Sequence, residues 1–234
     1  GTEAVSFAMR LARPVTQKNK IVIFSGSYHG HLDGVLGIQG DEQTDPMVPG
    51  ITHNMVEDII VLNYYDEDML DQIRAHKDEL AAIMVEPVRS RFPEFQPKEI
   101  LTALRELATA LQVPLIFDEM VTGFRIGPGG AQEYFGIKAD IVTYGKIAGG
   151  GMPIGIVAGA AKYLDVVDGG VWKYGDTSYP ETTKTLVAGT FARRRLAMAA
   201  SKAVLEKIKE FGYQAYVALN QKADDLMNRI NEFF

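Results

Sequence analysis

Residues 140–155, Asp-Ile-Val-Thr-Tyr-Gly-Lys-Ile-Ala-Gly-Gly-Gly-Met-Pro-Ile-Gly, carry the strongest indication of the fold. Its lysine, Lys146, follows a short β-branched run and precedes three glycines, so we predict that it stands at the end of a buried strand. The glycines let backbone approach the lysine closely. A lysine so placed can form a covalent imine with an aldehyde cofactor. Taken alone, an exposed loop lysine is the commoner explanation, because lysines are mostly exposed.

A carboxylate upstream strengthens the first interpretation. Asp118 ends another apolar run, 113–118, and the pattern predicts a second buried strand there. Strands alternate with helices along the chain, which predicts an α/β domain with a mainly parallel sheet flanked by helices. The predicted strands are Lys20–Ser25, Ile59–Leu62, Ala82–Glu86, Val113–Asp118, Ile141–Tyr144 and Ile154–Ala158. The predicted helices are one that opens the chain, Asp66–His76, Pro97–Leu111, Arg194–Phe211 and Tyr213–Phe234.

The amino-acid composition limits the classes of function that this chain can have. A chain of 234 residues with 47% hydrophobic residues can bury a real core, and it contains no apolar run long enough to span a bilayer. The net charge of −6 argues against a nucleic-acid partner. Zero cysteines exclude disulfides and are compatible with a cytoplasmic setting. The acidic stretch 41–80 is expected to be a solvated surface segment.

The two ends of the sequence suggest a domain boundary inside a longer polypeptide. Gly1 is not an initiating Met, and a helical pattern begins at once; a second helical pattern is still in phase at Phe234. We therefore expect residues 1–234 to be one domain, a fragment truncated at both ends.

Four polar groups fall at or near predicted strand ends: the segment 25–31, Glu86, Asp118 and Lys146. Parallel strands place their carboxyl ends at one edge, where ligands bind, so a single site could collect all four. Pyridoxal phosphate (PLP) needs a lysine for the imine and a carboxylate for its ring nitrogen. It also needs an aromatic face, which Tyr28 or His29 could supply, and a phosphate site, for which the helix start at residues 1–2 offers free N–H groups.

Several segments, in order along the chain, resemble class III aminotransferases of fold type I, close to the glutamate-1-semialdehyde aminomutase group. They are Gly-Thr-Glu-Ala (1–4), Tyr-His-Gly-His (28–31), Glu-Pro-Val (86–88), Ile-Phe-Asp-Glu-Met-Val-Thr-Gly-Phe-Arg (116–125), Lys146 with 149–153, and Gly-Thr (189–190). Ordered matches over nearly the whole chain are more specific than one motif. The resemblance implies the PLP-binding large domain of an aminotransferase.

The resemblance also implies a role for each site residue. Lys146 is the Schiff-base lysine and proton shuttle, and Asp118 pairs with the ring nitrogen. Tyr28 stacks on the ring and Val121 packs near its other face. Gly1 and Thr2 bind the cofactor phosphate within their own subunit. Gly189 and Thr190 reach the phosphate that is bound in a neighbouring subunit. A homodimer follows from that last contact.

A narrower likeness points to a substrate class. Residues 86–91, 172–180 and 189–193 resemble aminotransferase domains of hybrid polyketide–nonribosomal peptide synthetases of the cyanobacterial microcystin type. This implies an amino acid donor, a carrier-bound keto-acyl acceptor and a multidomain synthetase. Two alternatives stay open: a glutamate-1-semialdehyde 2,1-aminomutase, and a non-catalytic degenerate domain. Arg89, Arg194 and Arg195 depart from the narrower pattern and favour the degenerate domain.

Three side chains, those of His29, His31 and Glu86, need separate consideration. His29 and His31 could suggest a metal, but two histidines without a third placed ligand are a weak pattern, and we predict no metal site. Glu86 is equally compatible with a functional and a structural role.

Overall fold

The computed structural model describes residues 1–41, 43–180 and 184–234. Its strands are β1 (Lys20–Phe24), β2 (Gly37–Gln39), β3 (Thr44–Pro46), β4 (Ile59–Leu62), β5 (Leu80–Val85), β6 (Leu115–Asp118), β7 (Ile141–Tyr144) and β8 (Ile156–Gly159). Its helices are α1 (Thr2–Thr16), α2 (His53–Val56), α3 (Met69–Ala75), α4 (Lys98–Ala110), α5 (Gly130–Phe135), α6 (Ala161–Leu164) and α7 (Arg195–Phe233).

Six strands form one sheet in the order β4-β1-β5-β6-β7-β8. Every neighbouring pair is parallel except β7 and β8, which are antiparallel. All six residues of β5 are buried, as expected for a central strand covered on both faces. Strands β2 and β3 form a separate antiparallel pair. The prediction of a mainly parallel sheet flanked by helices is confirmed.

Helices cover both faces of this sheet. On one face α1 and α6 pack over the strands, and α1 buries Ala4, Val5, Ala8, Met9, Leu11 and Ala12, whose spacing forms a single apolar stripe. On the other face α3, α4 and α5 cover a second cluster that contains Phe117 and Leu104. The sheet is therefore covered by apolar layers on both faces, and its carboxyl edge is the expected place for a ligand site.

The sequence predictions differ from the structure mainly at element ends. Predicted strand 113–118 begins at Leu115, and predicted helix 66–76 begins at Met69. The hairpin of β2 and β3 was not predicted, because its three-residue strands carry no clear alternation. The acidic stretch 41–80 also contains buried β4; its Glu42 lies outside the described residues.

The last helix consists of two segments. Gly212 has φ 54° and ψ −150°, which no helix contains, so α7 breaks where the sequence predicts two helices separated by this glycine. The first segment packs on the turn that contains Lys146, and the second is anchored by Tyr216, whose hydroxyl donates to the carbonyl of Phe124 at 3.0 Å. Within the described ranges, no helix has both the length and the apolar character needed to traverse a bilayer.

Candidate active site

Four parallel strands deliver polar groups to one end of the sheet. Segment 25–31 follows β1, Glu86 follows β5, Asp118 ends β6, and Lys146 stands two residues after β7. A cavity of about 170 Å³ opens at this edge, beside the N-terminus of α1. The site thus has the location that parallel sheets favour for ligands.

Seven of the nine residues that the sequence proposed for cofactor contact line this cavity. They are Gly1, Thr2, Tyr28, His29, Asp118, Val121 and Lys146. Val5, Gly30, Glu86 and Met120 complete the wall. Gly189 and Thr190 do not line it: both are exposed, in the segment that precedes α7.

Asp118 is the most constrained group of the site. Its side chain is 2% exposed, and Oδ2 lies 2.8 Å from His29 Nδ1. Oδ1 accepts hydrogen bonds from Thr143 Oγ1 at 2.8 Å and from the Met120 amide at 3.2 Å. Burial acts to raise the pKa of Asp118, but the contacts with His29, Thr143 and Met120 outweigh it and hold the pKa below its ordinary value. The carboxylate is therefore ionised at neutral pH inside the protein.

This shift predicts how stability responds to acid. The native pKa of Asp118 is depressed, so its contribution to the free energy of unfolding is present above the ordinary aspartate pKa and is lost as pH falls through the native value. Urea midpoints should therefore drop steeply below about pH 4. The Asp118→Asn variant should show a shallower pH dependence. An identical slope in the two proteins would contradict the assignment.

His29 was one of two aromatic rings proposed to stack on the cofactor, and the structure gives it another contact. Its ring is 3% exposed and is bonded through Nδ1 to Asp118, while Nε2 is buried without a partner among the described residues. Tyr28, 48% exposed at the cavity, is the ring that remains free to stack. Sequence could not separate the two, because β5 lies between β1 and β6 and the chain order does not reveal that His29 reaches Asp118.

Lys146 is held in an unusual backbone conformation. Its φ of 45° lies in the left-handed region, which costs a non-glycine residue about 1–2 kcal/mol. A tight turn, Lys146–Gly149, follows directly, and the first segment of α7 packs against it. The Lys146 side chain is exposed at the cavity, while its backbone is fixed from behind by α7. Such strain persists only where the surrounding packing enforces it.

Gly150, the residue directly after this turn, lies close to α7. It has φ 57°, and a Cβ built there would lie 2.9 Å from the carbonyl oxygen of Ala200. Gly150→Ala should therefore lower the free energy of unfolding by the positive-φ cost of about 1–2 kcal/mol and by roughly 1 kcal/mol more for overpacking. Gly136→Ala is the matched control, since Gly136 has φ 72° but nothing within 4 Å of a Cβ. Equal losses in urea unfolding would show that α7 does not press on the turn.

Glu119, next to Asp118, has a structural role instead. It is fully buried, and its oxygens accept hydrogen bonds from the amides of Ala131 at 2.6 Å and Gln132 at 3.3 Å, and from Thr122 Oγ1 at 3.1 Å. Burial raises the pKa of Glu119 despite these bonds. The carboxylate thus ties the turn after β6 to the start of α5, and of these two neighbouring acidic residues Asp118 is the one on the cavity wall.

A larger cavity, about 690 Å³, lies elsewhere and includes neither Asp118 nor Lys146. An ion pair between Arg105 and Asp140, 2.6 Å apart, lines it, and Asp140 also accepts the Leu115 amide at 2.8 Å. These contacts tie α4 to the sheet. In the part of the chain that the structure describes, no cluster of three or more His, Asp or Glu side chains could hold a metal ion.

The family model for aminotransferase class III matches residues 1–232. The chain belongs to the class III aminotransferase family. Among curated relatives, glutamate-1-semialdehyde 2,1-aminomutase 2 of Lachnoclostridium phytofermentans is 39% identical over 100% of this chain and 53% of its own length. The corresponding aminomutase of Thermomicrobium roseum is 40% identical over 91% of this chain and 48% of its own. The chain spans about half the length of these relatives.

Solved structures show the same architecture. A transaminase with PLP bound superposes with a TM-score of 0.77 at 33% identity, over 89% of this chain and 48% of that one. A β-phenylalanine aminotransferase from Variovorax paradoxus gives 0.75 at 33% identity, over 98% of this chain and 48% of its own. The expected fold, a PLP-dependent transferase large domain, is confirmed.

Proposed function

We propose that residues 1–234 form the PLP-binding large domain of an aminotransferase, which moves an amino group from an amino acid to a carbonyl compound. The observation that carries this proposal is one cavity lined by Lys146, by the buried carboxylate of Asp118 and by the N-terminus of a 15-residue helix, α1. These are the amine, the anion and the phosphate site that PLP requires. Membership of the class III aminotransferase family supports the same activity.

The residues present fit this cofactor. Asp118 is held ionised by three donors and can keep a pyridine ring nitrogen protonated. The amides at the start of α1 have no helical partner, and the Thr2 hydroxyl stands beside them, so a phosphate group would be held by residues 1–2. Tyr28 and Val121, both on the cavity wall, would cover the ring. His29 would act through Asp118, by orienting the carboxylate.

When bound, PLP supplies a ring that withdraws electrons from the α-carbon of the amino acid. Lys146 would provide the covalent anchor before the donor arrives and the base afterwards. Its Nζ would take the proton from the α-carbon of the amino donor, and it would deliver a proton when the keto-acyl acceptor is aminated. The left-handed backbone at Lys146 sets the direction from which this amine enters the cavity.

The acceptor is proposed to be a keto-acyl group, carrier-bound within a polyketide–nonribosomal peptide synthetase. The support is the sequence of segments 86–91, 172–180 and 189–193. A second candidate is glutamate-1-semialdehyde 2,1-aminomutase, because the two curated relatives described above bear that name. A third, a domain that has lost catalysis, follows from the arginines at positions 89, 194 and 195.

Product analysis separates the three candidates. The protein loaded with PLP is incubated with an amino acid donor and either a keto-acyl thioester or glutamate-1-semialdehyde, and the aminated products are identified by mass spectrometry. Aminated thioester supports the proposal, and 5-aminolevulinate from semialdehyde alone supports the aminomutase. PLP binding without either product would leave the non-catalytic domain.

A homodimer is part of the proposal. Gly189 and Thr190 are exposed and stand outside the cavity of their own chain, so a contact with phosphate would have to be made to a second copy. Sedimentation of the PLP-loaded protein should give twice the mass of 25.7 kDa. A monomer with full PLP affinity would contradict this.

A further inference from the structure

Two buried charges of opposite sign follow β5 and bind the backbone of one loop. Glu86 is 3% exposed, and its Oε2 accepts the amide of Tyr28 at 3.1 Å, while its Oε1 accepts the amide of Ser90 at 3.0 Å. Arg89 is 7% exposed, and its Nη1 donates to the carbonyl of Ser25 at 3.2 Å. The loop 25–28 is therefore held at both of its ends by residues 86–89.

The guanidinium of Arg89 is fixed by an aromatic cage. Its central carbon lies 4.8 Å from the ring centre of Phe92, and 5.3, 5.4 and 5.9 Å from those of Phe95, Tyr64 and Tyr65. Nη2 also donates to the Tyr65 hydroxyl at 3.2 Å. Cation–π contacts of this kind strengthen where water is excluded, so the cage holds the cation in one place.

The loop is shaped to fit this cation. Gly26 has φ 78°, and a Cβ built there would lie 2.9 Å from Arg89 Nη1. The backbone thus lies directly against the guanidinium, at a position where only glycine leaves enough room. Arg89 itself is not on the cavity wall, whereas Tyr28, at the far end of the loop, is.

We infer that Arg89 is a positioning residue that sets the Tyr28 ring over the cofactor, acting through the Ser25–Tyr28 loop. This inference rests on the proposed function, since it takes Tyr28 as the ring that covers PLP. Glu86 fixes the amide of Tyr28, and Arg89 fixes the loop entrance at Ser25. This role requires the planar guanidinium of arginine, because the group donates hydrogen bonds to Ser25 and Tyr65 at the same time while its face packs against the aromatic rings.

The test is a double-mutant cycle on PLP affinity, with Arg89→Met, Tyr28→Ala and the double variant. Arg89→Met removes a charge-assisted hydrogen bond and should weaken PLP binding about tenfold or more. In the Tyr28→Ala background the same change should have little further effect, because the ring that Arg89 positions is gone. Arg89→Lys keeps the charge in the cage but loses the planar guanidinium, and should give an intermediate loss. Arg91→Met, at an exposed arginine two residues away, is the control and should leave affinity unchanged.

Hydrogen exchange of the protein without PLP adds a readout that is independent of the cofactor. Exchange at the Tyr28 amide should rise in Arg89→Met and stay unchanged in Arg91→Met. The inference would be overturned if Arg89→Met lowered PLP affinity equally in the parent and in the Tyr28→Ala protein. It would also be overturned if hydrogen exchange at the Tyr28 amide were unchanged in Arg89→Met. A parent protein that binds no PLP would instead overturn the proposed function on which it rests. If Arg89→Met fails to fold, Arg89→Lys carries the same cycle.

Discussion

Replacing Lys146 with alanine is expected to abolish amino transfer. The Lys146 side chain places an amine on the cavity wall, and its loss would remove both the covalent anchor and the base that we propose. Proton transfer by a placed side chain alone contributes about 10²- to 10⁴-fold in rate, so the fall should reach at least that range. The measurement is keto acid release from the amino donor under saturating PLP.

Lys209→Ala is the matched control for this variant. Lys209 is an exposed lysine on α7 and should transfer amino groups at the parent rate. Added methylamine should restore part of the activity of Lys146→Ala if the missing amine is the only defect. Comparable activity in Lys146→Ala and the parent would refute the role of this lysine.

Asp118→Asn is the second change with a large expected effect. The amide keeps the size of the carboxylate but removes the charge that we propose pairs with the ring nitrogen, and it disturbs the contact with His29 at 2.8 Å. Removing one preorganised group that stabilises developing charge costs about 10²- to 10³-fold in rate, and we expect a fall of that order. PLP affinity should fall as well. Rates are compared at pH 7 in protein whose folding is verified by circular dichroism.

Asp140→Asn separates this effect from a general loss of stability. Asp140 is partly buried, pairs with Arg105 at 2.6 Å and accepts a hydrogen bond from a strand amide, but it is not on the wall of the cavity that contains Asp118. We expect Asp140→Asn to lower the midpoint of urea unfolding and to leave PLP affinity and turnover unchanged. If both variants lost activity in proportion to their loss of stability, Asp118 would have no special role at the cofactor.

Much of the fold was predictable because its signals are local. The runs at residues 59–62 and 141–144 are short, β-branched and apolar, and the structure places β4 and β7 at those bounds. Asp118 and Lys146 were predicted together because both were expected at the ends of buried strands, and parallel strands share a carboxyl edge. Gly212 divides the last helix as expected, because its conformation is open to glycine and strained for other residues.

Other features depend on sheet order, which the sequence pattern does not contain. The contact between His29 and Asp118 joins residues 89 positions apart across the intervening strand β5. The aromatic cage of Arg89 collects rings from two separate segments, 64–65 and 92–95, whose apolar character predicts burial but not a bound cation. The antiparallel direction of β8 likewise depends on how the chain connects β7 to β8, and the residues of the strand itself do not indicate it.

Arg89 departs from the pattern of the synthetase-type aminotransferase domains, and its effect on the site could not be predicted from the sequence alone. A bulky cation at this position is expected to disturb a cofactor site. In the structure the guanidinium turns away from the cavity and is held by four rings and by the carbonyl of Ser25. The residue is thus compatible with a working site, and the degenerate domain loses one of its supporting features.

The central claim is that Lys146 holds PLP in this cavity, and peptide mapping tests it most directly. The protein is loaded with PLP, reduced with borohydride, digested and analysed by mass spectrometry. The account predicts a single pyridoxyl group, on the peptide that contains Lys146, with absorbance of the bound cofactor lost from the Lys146→Ala variant. An adduct spread over exposed lysines, or none in a folded sample, would contradict it.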